Sequence, residues 1–145
     1  MGGSLLGFGG RLPRLRYFLL GLVTLALFAA AMGVIVLATR VPGVSVRTAT
    51  IAGAVVVLVV ASVVGAGLTV RRLHDLDLSG WWILAIWLGP AALQQAVLRL
   101  AGDPKPGNAL AAAVDLAIGL ALWLLPGTPG ANRFGPDPRA AERRP

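Results

Sequence analysis

The sequence predicts an all-α polytopic membrane protein, a bundle of four transmembrane helices with a short cytoplasmic N-terminal segment and a C-terminal tail. Three observations predict it. Of the 145 residues, 57% are apolar and only 13% are charged, whereas a soluble domain carries about a quarter charged residues to keep its surface wet. The apolar residues gather into four long stretches, each close to the roughly 20 residues that cross a hydrocarbon core. The charges and the Pro-Gly pairs gather between those stretches.

Residues 1–10 are Gly-rich with scattered Leu and Phe, a composition expected of a flexible tail. Arg11, Arg14 and Arg16 then precede the uncharged run Tyr17 to Thr39, which as a helix measures about 34 Å, enough for a core of about 30 Å. An apolar run behind basic residues also has the form of a secretory signal, with Ala29 to Ala31 imitating a cleavage site. The stretch, however, continues through Val34 to Leu37 beyond any such cut.

Pro42 and Gly43 mark a turn. The second span, Ala49 to Val70, is Val-rich but lacks alternation, and an open strand in lipid would leave backbone groups unpaired. Ala61 with Gly65 and Ser62 with Ala66 place small residues four apart, a spacing that lets a neighbouring helix approach.

Leu68 to Trp82 is the densest cluster of charge, with Arg71, Arg72, His74, Asp75 and Asp77 close together. It reads as a hinge at the membrane surface. The third span is Gly80 to Leu98, with a kink expected at Pro90, which cannot donate to the helix and frees the carbonyl of Ile86. Gly102 to Asn108 is a turn region, with Asn108 placed to cap the next helix. The fourth span, Ala109 to Leu125, contains one charged residue, Asp115, and a stripe of Ala113, Ala117 and Ala121. Residues 11–138 make up the membrane domain, and residues 139–145 read as a disordered tail.

Four spans put the N-terminal segment, the central hinge and the C-terminal tail on one side. That side holds Arg11, Arg14, Arg16, Arg71, Arg72, Arg133, Arg139, Arg143 and Arg144. The other side holds Arg40, Arg47, Arg99 and Lys105. The excess of positive residues places both termini in the cytoplasm. Tyr17, Trp81, Trp82 and Trp123 then fall near the cytoplasmic ends of their spans, where an aromatic belt belongs.

Three segments carry recurring motifs: GRLPRLRYFLL from Gly10, RRLHDLDLSGWWIL from Arg71, and LPGTPGANRFGPDP from Leu125. Together they resemble the domain of unknown function 805 family, small bacterial inner-membrane proteins. The matching positions are Gly10, Arg11, Arg14 and Tyr17; Arg71 to Asp75 and Ser79 to Trp82; and Pro126, Gly127, Thr128, Gly130 and Asn132 to Gly135. The chain departs from the family at Leu76, Asp77 and Leu78, where small or basic residues are common. The resemblance implies a bacterial inner-membrane location and no established activity.

All three segments belong to the cytoplasmic side, so Arg11, Arg14, Arg71, Arg72, His74, Asp75, Ser79, Trp81, Trp82, Asn132 and Arg133 form a candidate site for an anionic group. Arg71, Arg72 and Arg133 would supply forked donors, His74 would be tunable near neutral pH, and Ser79 would cap the third helix. The structural alternative gives the arginines to topology, pairs Asp75 and Asp77 with them, and makes the Trp residues interfacial anchors.

The expected partners are anionic lipid headgroups, with a protein partner or a homo-oligomer also open. The net charge of +7 is spread between apolar runs, which favours headgroups over nucleic acid. No catalysis is expected, because His74 beside Asp75 in sequence does not orient the pair and no nucleophile accompanies them. No cofactor or metal is expected, since the chain has no Cys and one His. The competing function is a small transporter or channel in which Asp115, near the bilayer centre, is partnered by Gln94 and Gln95 along a polar path.

Overall fold

The computed structural model describes residues 8–140, and among these four helices run in order with no strand: α1 Arg14–Ala38, α2 Val44–Asp75, α3 Trp82–Ala101 and α4 Pro104–Leu124. All four are long and apolar enough to cross a membrane. Residues 1–7 and 141–145, which carry the expected tail ends with Arg143 and Arg144, lie outside the described residues.

The helices extend past the expected spans. The charged cluster is not a surface hinge: Arg71, Arg72, His74 and Asp75 belong to the C-terminal end of α2, the latter three in its last turn. At 32 residues this helix is about 48 Å long, well beyond a hydrocarbon core of about 30 Å, so its charged end projects past the apolar part. Only Leu76 to Trp81 is left to connect α2 with α3.

Each helix end has a local cause. Gly43 (φ 104°) makes the turn into α2 in a conformation that other residues avoid. The end of α2 is a Schellman motif: the Leu78 amide donates to the Leu73 carbonyl at 2.9 Å and the Asp77 amide to that of His74 at 3.1 Å. Asp77 takes the left-handed position (φ 59°) usually given to Gly, which a short polar side chain tolerates. Gly102 ends α3 in the same left-handed region.

Two expected caps are corrected. Asp103, not Asn108, caps α4, accepting from the Lys105 amide at 2.9 Å. Pro104 at the first helical position, whose missing N–H costs nothing there, starts α4 earlier than the apolar run suggested. Ser79 does not cap α3, whose N-cap is Trp81 without a side-chain bond. Its hydroxyl lies in the preceding turn, 3.4 Å from the Trp81 amide.

The four helices form two antiparallel hairpins. α1 packs mainly on α2, and α3 on α4, while α1–α4 and α2–α3 meet much less. Small residues permit the intimate contacts: Ala61 is buried, Gly65 faces Thr24 of α1, and Gly107 abuts the Gln94 backbone of α3. The alanine stripe of α4 does not serve this purpose, because Ala113, Ala117 and Ala121 are exposed whereas Gly107, Ala111 and Leu122 are buried. α3 continues without interruption through Pro90.

A Cβ on Gly107 would lie 2.9 Å from the Gln94 carbonyl oxygen, a backbone atom that cannot rotate away. Gly107→Val is therefore expected to lower stability by about 1–3 kcal/mol by wedging α3 from α4, read as a lower unfolding midpoint in a fixed detergent.

Candidate functional site

The three motif segments meet at the end of the bundle where α1 begins and α4 ends, around the last turn of α2. Pro126 has no N–H, so the Leu122 carbonyl of α4 lacks its helical donor. Arg72 supplies one: its Nε donates to Leu122 O at 2.6 Å, Nη1 to Asp75 Oδ2 at 2.5 Å, and Nη2 to Leu125 O. An Arg from α2 thereby caps α4, and its positive charge suits the negative end of that helix.

Arg11 approaches the same carboxylate from the N-terminal segment. Its Nε donates to Asp75 Oδ1 at 3.1 Å, Nη1 to Gly130 O at 2.5 Å and Nη2 to Thr128 O at 2.5 Å. Asp75 is thus held by one guanidinium on each oxygen, and the side chains of Arg11, Arg72 and Asp75 are at most 2% exposed. A buried ionic triad of this kind needs every donor and acceptor matched. Here backbone carbonyls of the C-terminal strap complete the set.

The open carbonyls at the end of α2 are closed in return. Asp75 O accepts from the Thr128 amide at 2.8 Å and its hydroxyl at 3.1 Å, His74 O from Asn132 Nδ2 at 2.9 Å, and Arg71 O from the Leu12 amide at 3.1 Å. Gly127 is obligatory, because a Cβ there would overlap the Asp75 carboxylate. Sequence reading gave Thr128, Gly127 and Leu12 no role, although Thr128 and Gly127 lie within the Pro-Gly-Thr motif that signalled the segment.

A tight turn closes the strap. Asn132 and Gly135 exchange two backbone hydrogen bonds of 3.0 Å, and the Asn132 side chain accepts from the Phe134 amide at 2.9 Å. This stacks Phe134 on His74 with ring centroids 3.9 Å apart, and lays Arg133 over the Phe134 ring at 4.8 Å. His74 Nδ1 lies 3.2 Å from the Gly10 carbonyl. A carbonyl only accepts, so Nδ1 carries the proton. His74 and Asp75 therefore face different partners and do not form a dyad.

The candidate residues divide into three groups. Arg11, Arg72, Asp75 and Asn132 are engaged inside this junction, as is Arg71, which is buried with its Nε 3.3 Å from Gly67 O. Arg133 forms an exposed pair with Asp77 at 3.3 Å. Arg14, Trp81 and Trp82 face outward, the two Trp 79% and 55% exposed.

Tyr17 and Trp123 depart from a simple belt. Trp123 stacks on Phe18 at 4.3 Å, and Tyr17 lines an internal groove between the hairpins. Arg139, expected in a disordered tail, donates to the Gly127 and Thr128 carbonyls at 3.1 and 3.2 Å.

Asp115 is separate from this junction. It lies midway along α4 and lines a cavity of about 550 Å³ with Gln94, Tyr17, Thr69, Trp87 and Pro90. Gln94 shares the cavity but donates to the Asn108 side chain, and no hydrogen bond joins Gln95 to Asp115. Asn108 is thus the partner of Gln94 that sequence reading missed, because it had been assigned to the cap.

The fold and this junction define a four-helix membrane bundle closed at one end by the segment before α1 and the strap after α4. The chain belongs to the family described as Protein of unknown function (DUF805), whose profile matches residues 5–136. Neither the curated proteins nor the solved structures contain a match.

Asp75→Asn leaves two guanidinium groups without their shared counter-charge, so a loss of about 3–5 kcal/mol is expected. Asp77→Asn, which removes an exposed pair and keeps a residue tolerant of the left-handed position, should change stability by about 1 kcal/mol or less. Thermal unfolding of both variants in the same detergent makes the comparison.

A pH effect is expected at the strap. The Asp137 carboxyl is lowered to about 2, first by the Arg139 backbone N–H and then by its side chain. With an unfolded value of about 3.9, its contribution is complete above about pH 4 and is lost as the pH falls through about 2. An NMR titration of the Asp137 carboxyl carbon checks this.

Proposed function

We propose that this is a non-enzymatic module of the bacterial inner membrane, with both termini cytoplasmic, whose terminal face binds anionic lipid headgroups. The observation that carries the reading is that Arg14 and Arg16 at the start of α1 and Trp81 and Trp82 at the start of α3 are all exposed, at the end where the chain's basic residues are concentrated. Indole rings settle at the headgroup level. Each nearby Arg adds about 1 kcal/mol of attraction to an anionic leaflet.

The internal junction supports this in two ways. It makes the face rigid, so that the exposed Arg and Trp keep a fixed height relative to the bilayer. It also engages Arg11, Arg72 and Asp75 within the protein, which leaves headgroup contact to the outer residues. The separation of His74 from Asp75 supports a non-enzymatic role.

The test is anionic-lipid enrichment around the protein in nanodiscs containing phosphatidylglycerol and phosphatidylcholine. Arg14→Gln with Arg16→Gln should reduce the enrichment by up to about thirtyfold. Raising the salt should diminish the wild-type enrichment in the same direction. Equal enrichment in wild type and variant at low salt would reject the reading.

A further inference from the structure

We propose that the groove around Asp115 binds a lipophilic organic cation, with Asp115 as its counter-ion and Trp87 and Tyr17 against its charged centre. The starting point is the set of acids. Asp75 is held by Arg11 and Arg72, Asp77 by Arg133, Asp103 by the Lys105 amide and Asp137 by Arg139. Among the described residues, Asp115 is the acid that no hydrogen bond or ion pair reaches.

Its position makes that isolation costly. Asp115 lies midway along α4, where the bilayer is driest, and an intramembrane carboxylate there requires a compensating partner or a polar cavity. The cavity of about 550 Å³ takes walls from all four helices and contains no basic residue. Its size falls within the range of small-molecule sites. The groove thus offers an acidic side chain and no positive charge of its own, so the ligand it favours is a cation.

The remaining walls specify what kind of cation. Tyr17, Thr69 and Trp87 also line a second cavity of about 420 Å³, so the two adjoin in one groove between the hairpins. The second cavity is apolar in effect: its Thr24 and Ser62 hydroxyls already donate to the Leu20 and Leu58 carbonyls of their own helices, both within 3 Å. The groove therefore presents a carboxylate at one end, two aromatic rings where the cavities join, and a greasy wing beyond them. Rings of this kind attract a weakly hydrated cation through their negative faces.

Two details add to the attraction. Pro90 and Ile86 both line the Asp115 cavity, and Pro90 cannot donate to the Ile86 carbonyl, which leaves an acceptor dipole at the wall. Inorganic cations fit poorly, because hard ions take about six to eight oxygen ligands. Among the described residues no three His, Asp or Glu side chains gather to supply them. A phosphate headgroup would meet the carboxylate as a like charge.

The site is independent of headgroup binding at the terminal face, and neither outcome decides the other. The test uses the full chain in nanodiscs, with tetraphenylphosphonium as probe, its binding followed by equilibrium retention and by quenching of Trp fluorescence. Saturable uptake above that of empty nanodiscs is expected.

Asp115→Asn should weaken binding by roughly thirtyfold or more, while Asp77→Asn, which removes a carboxylate outside the groove, should leave it unchanged. Triphenylphosphine oxide, of similar body and no net charge, should bind the wild type far more weakly. That comparison needs no variant and holds even if Asp115→Asn fails to fold. The proposal is overturned if uptake only matches partition into empty nanodiscs, if the neutral compound binds as tightly, or if a folded Asp115→Asn protein retains wild-type affinity.

Discussion

The structure depends on one constraint: a carboxylate removed from water must be matched by positive charge and by hydrogen bonds to its surroundings. Asp75 is 1% exposed, and two guanidinium groups, one on each oxygen, come from different parts of the chain. Arg72 rises from the same helix turn and reaches across to α4. Arg11 comes from the N-terminal segment and reaches the strap. Because the same two guanidinium groups also hold the carbonyls of α4 and of the strap, satisfying one carboxylate fixes where these segments lie.

The same junction resolves a second requirement. Helices ending near one another expose carbonyls without donors, and here the C-terminal ends of α2 and α4 receive donors from elsewhere in the chain. The α4 carbonyls receive Arg72, and the α2 carbonyls receive Leu12, Thr128 and Asn132. The hairpins touch sparingly along their lengths, so this end carries much of the burden of holding them together. Farther into the apolar region the hairpins separate enough to leave the groove containing Asp115, Tyr17 and Trp87. Tight closure at one end and looseness in the middle are two consequences of the same packing.

This arrangement changes what the basic residues mean. A count of arginines suggested one broad anion-binding face, but burial divides them. Arg11 and Arg72 work as internal fasteners, with donors directed at carbonyls and Asp75, while Arg14 and Arg16 remain at the surface. The division follows from geometry: a forked guanidinium buried among carbonyls is held at every nitrogen, and its burial keeps it from a ligand outside.

The sequence by itself determined the four apolar helices, their order, and the grouping of the three motif segments at one end, because length, hydropathy and the parity of four crossings decide these without side-chain detail. It also singled out Asp115 as a lone charge within a span. Only the tertiary structure decided that Arg71 to Asp75 belong to α2, that Asn108 serves Gln94 while Asp103 caps α4, and that Arg72 completes the end of another helix. The closure of α4 by Arg72 and of α2 by Asn132 depends on which donor finds which carbonyl across segments 50 or more residues apart, and no local pattern records a distance of that kind. The groove too is a property of how two hairpins fail to close on each other, which exists only once both are in place.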